Sequence, residues 1–175
     1  MFLNKIKVFL LISICLIFFF LTYNDVKSKE LMILSGIAKV IDGDTIKINS
    51  DKIRLFGIDA PEQKQLCNKT YLTILFFTFN KDYPCGKVSS EKLKNIINNK
   101  LIMCKIHDKD IYNRFIAECF KDKTNLNAWM VRNGYAVAYR KYSKKFVSQE
   151  DIAKKNQSGL WEGSFLMPWD WRKKN

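Results

Sequence analysis

From Leu31 onward the chain alternates short apolar runs with turn signals: LSGIAKVI, then Asp42-Gly43, then DTIKINS, then KIRLFGI. Apolar residues at every second position suit a strand with one buried face, and Asp-Gly between two such runs is a strong hairpin signal. Three sequential antiparallel strands are expected. The 175 residues suffice for one compact domain, and a second full domain is not expected.

Farther along, SSEKLKNIINNK reads as a helix with Ser89 or Ser90 as N-cap and Leu93, Ile96 and Ile97 on one face. TNLNAWMVRNG reads as a second helix, capped at Asn125 and stopped by Gly134, and YAVAY as a strand. In SQEDIAKKNQSG, Ser148 and Asp151 fit a capping box and Gly159 closes the turn; GLWEGSFLMPWDW follows as an aromatic tail. Between polar ends and two cysteines, residues 63–88 hold the apolar run LTILFFTF, whose conformation the pattern does not fix. Five or six strands in a meander with about three helices make a mainly β, α+β chain. They fit an OB-type five-stranded β-barrel over residues 31–175.

Before that domain, Lys5 and Lys7 precede an apolar run over residues 8–23. Sixteen residues make a long signal h-region or a short membrane span. Residues 1–30 are thus expected to be a signal peptide, cleaved after Ser28, or an N-terminal membrane anchor through residues 8–23. Either way the domain is exported, to a periplasmic or extracellular location or held outside the cytoplasmic membrane.

Export decides how the cysteines read. Cys15 lies in the apolar run, leaving Cys67, Cys85, Cys104 and Cys119, an even number in an oxidising compartment. Zinc is disfavoured by the lack of any CxxC pair and by a single histidine, His107, which is expected to be a solvated turn residue. Two disulfides are expected. LIMCKIHDKDIYNRFIAECF reads as a hairpin centred on Ile111 and Tyr112, which sets Cys104 opposite Cys119 and leaves Cys67 to pair with Cys85.

The formal net charge is +13, and residues 1–30, with four lysines against Asp25 and Glu30, hold only two of those charges. The remaining +11 suits a polyanion such as nucleic acid or an anionic membrane surface. Lysine is the default cation, and arginine occurs only as Arg54, Arg114, Arg132, Arg140 and Arg172. An arginine therefore marks a place that needs the planar two-pronged donor for phosphate or carboxylate.

Arg54 opens RLFGIDAPE, in which Asp59 and Glu62 follow within nine positions. Asp44, after the Asp-Gly turn, and Asp59 are placed near adjacent strand ends, where two hard carboxylates and a backbone carbonyl make an oxygen site suited to Ca²⁺. Pro61 ends the strand and turns the chain, so that Glu62 faces the same cavity instead of pointing away, roughly 25 Å from Arg54 along an extended strand. Taken alone, DGDT is a turn with one exposed acid. Together these groups are what phosphodiester hydrolysis requires: a base for the attacking water, a cation on the phosphate, and donors for developing charge.

The ordered set DGDT, RLFGIDAPE, YNR at 112–114 and GLW after the last helix resembles the staphylococcal nuclease (thermonuclease-like) family over about residues 33–162. The resemblance implies an OB-type barrel and a Ca²⁺-dependent endonuclease acting on DNA and RNA, leaving 3′-phosphates and preferring single strands. It implies Asp44, Asp59 and the Ala60 carbonyl as calcium ligands, Arg54 and Arg114 as the phosphate clamp, and Glu62 as general base. Tyr112 and Tyr139 match tyrosines that line the nucleotide pocket. Asn113 replaces the family's usual glycine and is the substitute best able to take a left-handed conformation; Ala60 replaces a threonine and Ile111 a phosphate-binding lysine. The extra cysteines resemble an exported bacterial variant, and a monomer is expected.

Two rivals stand beside this reading. One is the same barrel without catalysis, binding nucleic acid or a partner protein at the cell envelope; the presence of Asp44, Arg54, Asp59, Glu62 and Arg114 together favours the enzyme. The other is a membrane-anchored factor in envelope polysaccharide metabolism, for which RLFGIDAPE offers no support. Tyr139, Tyr142 and Trp161 are expected mainly as core or rim packing.

Overall fold

A computed structural model describes residues 32–175 and, before them, Ser13 alone. The apolar run 8–23 and both readings of residues 1–30 lie outside the described residues. Among the described residues no helix is long and apolar enough to cross a membrane.

The first three strands are β1 (Ile33–Val40), β2 (Thr45–Ile48) and β3 (Asp51–Leu55), each antiparallel to the next. KIRLFGI is not one strand. Gly57 takes φ +71°, and the chain restarts as β4 (Ile58–Asp59). A side chain at Gly57 would also press on the Phe146 ring, 3.2 Å from the Cβ position.

The insertion is a ribbon of β5 (Cys67–Ile74) and β6 (Phe77–Tyr83). It leads into α1 (Cys85–Ile97), which starts four residues before the expected Ser89 and has Pro84 as N-cap without a side-chain bond. Ser89 instead donates to the Tyr135 carbonyl and Ser90 to the Gly86 carbonyl. Ser89 points at Gly43, where any Cβ would fall 2.0 Å from its hydroxyl. Gly43 is thus needed for close approach of α1 to the turn, more than for the turn itself.

β7 (Leu101–Lys109) and β8 (Phe115–Lys121) form the expected hairpin, with Cys104 opposite Cys119. β7 also pairs with β1, and β8 runs parallel to β3 with Ile116 beside Arg54. These contacts close a five-stranded barrel in the order β1-β2-β3-β8-β7. Ile46, Ile48, Ile53, Leu55, Ile102 and Ala117 fill it, joined by Leu93 and Ile97 of α1. Both expected disulfides are present, Cys67–Cys85 and Cys104–Cys119. His107 is a strand residue, against the turn expected for it; it tilts against Phe56 and meets Glu118 at 3.1 Å.

After β9 (Thr124–Asn125) comes α2 (Leu126–Arg132), capped as expected by Asn125, which accepts from the Ala128 N–H. β10 (Val137–Ala138) pairs with β4. The next helix, α3 (Val147–Lys155), has Phe146 as its N-cap; Ser148 bonds Gln149, so the expected capping box does not form. A 3₁₀ turn (Gly159–Glu162) and β11 (Gly163–Ser164) lead to a fourth helix, α4 (Pro168–Lys174), where the sequence suggested only an aromatic tail. Trp161 packs edge-on against Phe165 in a small second core, in line with the structural role expected of it.

Glu150 of α3 fixes the geometry behind the site. Its buried carboxylate accepts from the Ala138 N–H, Arg140 and Lys154, tying α3 to β10 and so to β4. Burial pushes this carboxyl up, but those partners outweigh it and hold it below its ordinary value. The folded state therefore keeps the ion where the unfolded chain would take a proton, so its support is complete above the usual carboxylate range and fades as pH falls through it. Glu150→Gln should cost on the order of 2 kcal/mol at pH 7, discounted for half-exposed partners, and progressively less as the pH is taken below the usual carboxylate range. Denaturant melts of both proteins from pH 7 downward check this.

Candidate active site

The acids gather where three turns meet. Asp44 stands at the start of β2, 4% exposed, and Asp59 ends β4, fully buried. Asp44 accepts from Thr45, from the Ala60 N–H at 3.0 Å and from Arg54 at 2.8 Å. Arg54, opposite Thr45 in β3, divides its guanidinium between the two acids, reaching Asp59 at 2.6 Å with its other terminal nitrogen. Beyond Pro61 the chain turns, and the buried Gln65 amide accepts from the Glu62 N–H.

A residue to which the sequence assigned no role completes the cluster. Arg172, on the outer turn of α4, forks onto both Asp59 oxygens at 3.1 and 2.8 Å and reaches Glu62 at 2.7 Å. Two further ties hold the C-terminal segment here. Gln65 donates to the Leu166 carbonyl at 2.7 Å, and Trp169 stacks on Tyr139 with centroids 5.3 Å apart and planes within 5°. Asp59, Glu62 and Arg54 are therefore joined through a residue 113 positions from Asp59. Glu62 and Arg172 are each 36% exposed, which opens the cluster to solvent on their side.

Burial is the largest influence on the titration of two acids here. Burial first, then the Asp44 carboxylate, push Asp42 up to about 7. Burial also raises Asp59, with Asp44 adding to the effect and Arg172 and Arg54 opposing it. Arg54 is held above its ordinary value because the two acids overcome the effect of its burial. Among the described residues no three His, Cys, Asp or Glu side chains converge as a metal group. Asp44 and Asp59 are hard carboxylate donors of the kind a Ca²⁺ ion takes, and here their oxygens accept from Arg54, Arg172 and the Ala60 N–H.

Arg114 is not in contact with these acids. Its N–H and Nε both donate to Asp110, at 2.9 and 2.8 Å, and its guanidinium lies 5.5 Å from the Tyr112 ring centroid. Arg114 immediately precedes β8, two positions before Ile116, which is the partner of Arg54 in the parallel β3–β8 register. Nε is committed to Asp110, and the terminal nitrogens have no hydrogen-bond partner among the described residues. Asn113 adopts φ +64°, the conformation expected of the glycine substitute. Tyr112 and Ile111 stand out at the tip of the β7–β8 hairpin, 74% and 92% exposed. Tyr139 is half-buried, with Tyr142 edge-on and Trp169 stacked, so the packing role expected for it is met from both sides. A cavity of about 250 Å³ lies elsewhere, lined by Lys69, Tyr83, Lys92, Tyr135 and Glu162 among others, and takes in none of these acids or arginines.

The fold and the site together define a small OB-type barrel carrying an acid–guanidinium cluster at its strand ends. The family described as Staphylococcal nuclease homologue matches residues 52–163, and the chain belongs to that family. It is 34% identical over 129 residues to the Succinoglycan biosynthesis protein ExoI of Rhizobium meliloti (strain 1021), covering 72% of this chain and 63% of that protein. It is 31% identical over 144 residues to an Uncharacterized endonuclease of Escherichia coli O157:H7, covering 78% of this chain and 82% of that one. A Probable staphylococcal-like nuclease, CAN3, of Oryza sativa subsp. japonica is 29% identical over 133 residues; they cover 74% of this chain but 30% of the rice protein.

Proposed function

We propose that the protein is an exported endonuclease that hydrolyses phosphodiester bonds in DNA and RNA with Ca²⁺, acting as a monomer through residues 31–175. The observation that carries this is the convergence of Asp44, Asp59 and Glu62 on the Arg54 and Arg172 guanidinium groups, in a chain of the staphylococcal nuclease family. The names of two relatives, an endonuclease in Escherichia coli and a staphylococcal-like nuclease in rice, point the same way. Two disulfides suit an oxidising compartment outside the cytoplasm.

In this reading Asp44 and Asp59, with the Ala60 carbonyl, hold the ion, which when bound neutralises phosphate charge and orients water. Glu62, at the open edge of the cluster, takes the proton of the attacking water on a carboxylate oxygen. Arg54 gives one guanidinium to the reacting phosphate, and Arg114, anchored by Asp110, turns its uncommitted nitrogens toward the other side. Tyr112 offers a face to nucleobases, which favours single strands, where bases are free to stack, and Tyr139, whose ring Trp169 and Tyr142 already pack, lines the pocket by its edge. Cleavage that leaves 3′-phosphates is expected.

Incubating the protein with single- and double-stranded DNA and RNA tests this: Ca²⁺ should permit cutting and EDTA should stop it. Binding should weaken steeply with added salt, because phosphate contacts release counterions. A flat salt response would remove nucleic acid as the partner. Arg172 holds Asp59 and Glu62 as a resident cation, so it competes with the metal. Arg172→Ala should lower the Ca²⁺ concentration for half-maximal cutting by about fivefold, the worth of a half-exposed pair; an unchanged requirement would show that Arg172 does not compete.

A further inference from the structure

We infer that the tip of the β5–β6 ribbon inserts into the surface of an anionic lipid bilayer. Among the described residues the ribbon is tethered only at its base, where the Cys67–Cys85 bridge closes it and β11 pairs with Asn68 and Lys69. Beyond Lys69 its backbone pairing, among the described residues, is with itself alone. A free two-stranded ribbon is marginal in water, and this one ends in apolar side chains. Leu75 and Phe76 form the turn and are 84% and 97% exposed; Ile74 and Phe77 beside them are 52% and 70% exposed. Leu75 takes φ +52° to make that turn, although an asparagine or glycine would take the conformation more readily. The tip is therefore apolar where turn chemistry asks for polar residues.

The order of side chains down the ribbon favours lipid over a protein groove. Below the tip Thr73 pairs with Thr78 and Leu72 with Phe79, and next come Tyr71, Thr70 and Asn80. Below those, Lys69 stands directly opposite Lys81, roughly 17 Å from the tip by strand rise. An apolar end, a belt of tyrosine and short polar groups, then a cationic collar is the sequence of environments met on leaving a membrane: acyl chains, interface, headgroups. Like charges directly opposite each other weaken a ribbon, and among the described residues Lys69 pairs with an acid, Glu162 at 3.8 Å, whereas Lys81 does not. Anionic headgroups supply what Lys81 lacks. The apolar side chains lie at the turn and on the face shared by Ile74, Phe77, Leu72 and Phe79, with the Thr73–Thr78 pair at the alternate register position. Its depth is limited by the outward-facing backbone groups of the two ribbon edges, which hydrocarbon would leave unpaired. Insertion thus stops near Leu72 and Phe79. This surface stands apart from the acid cluster and does not depend on the nuclease reading.

The test follows amide hydrogen exchange across residues 71–79 of the full chain. Vesicles of phosphatidylcholine alone are compared with vesicles containing phosphatidylserine, for the native protein and for a Leu75→Asp, Phe76→Asp double variant. The full chain keeps any contribution from residues 8–23 equal on both sides. Exchange at 71–79 should slow on phosphatidylserine vesicles and far less on phosphatidylcholine. The double variant should lose the effect by on the order of a hundredfold, the factor that burial of two large apolar side chains is worth. Both altered side chains are exposed, so the far-ultraviolet spectrum and melting curve should not change. Unaltered exchange at 71–79 on vesicles that hold the protein would overturn the inference. So would protection that rises with protein concentration in the absence of lipid, which identifies a second copy as the occupant.

Discussion

Glu62→Gln should lower the rate of cutting by about 10² to 10⁴, the usual contribution of a positioned general base, and leave stability within about 0.5 kcal/mol. The separation of these two effects makes the substitution informative. Glu62 is 36% exposed and its amide replacement still accepts from Arg172, so the fold loses little. Asp59→Asn is the buried counterpart. Asp59 is fully buried between Arg54 and Arg172, and neutralising it leaves two guanidinium groups facing each other without an ion. That variant should lose activity, but because burial already holds the Asp59 carboxyl above its ordinary value against both arginines, its stability should change by no more than about 1 kcal/mol. Initial rates on a single-stranded oligonucleotide, beside urea melts of the same preparations, separate the two.

The second large effect concerns the disulfides. Cys67–Cys85 and Cys104–Cys119 span 18 and 15 positions, and a loop of that size is worth roughly 3 kcal/mol for each bridge. A domain of this size has about 5 to 15 kcal/mol in all. Reducing both bridges should therefore bring the protein close to its unfolding threshold at 37 °C. Cys104 and Cys119 lie in the barrel core and Cys67 and Cys85 at the base of the ribbon, so the two losses are expected to add. Urea midpoints with and without reductant, and for Cys104→Ala with Cys119→Ala, check this; superimposable curves would show that the bridges do not support the fold.

What the sequence made legible was what local pattern controls. The equal distances of Cys104 and Cys119 from their turn fixed the hairpin register, because side chains in paired strands alternate with period two. Asn125 and Asn113 took the roles their chemistry suits, a cap and a left-handed turn. Asp44, Arg54, Asp59 and Glu62 fell together because adjacent strands and a proline-turned end bring them together. The α1 start was obscured because Ser89 is an ordinary capping residue, whereas its real constraint is the approach to Gly43 from a distant turn. The 67–83 ribbon carried no period because neither of its distal faces is buried. Arg172 and α4 were missed for a related reason. A seven-residue helix has little pattern of its own, and its place beside Asp59 follows from tertiary contacts through Gln65 and Tyr139. The one available signal was the scarcity of arginine itself.

Calorimetric titration of Ca²⁺ into the native protein and into Asp59→Asn, with the cutting rate followed over the same concentrations, goes most directly to the acid cluster. One Ca²⁺ should bind per native chain and none in the same range to the variant, and the rate should rise with occupancy. Full cutting in EDTA, or an Asp59→Asn protein that binds and cuts as the native one does, would contradict the account.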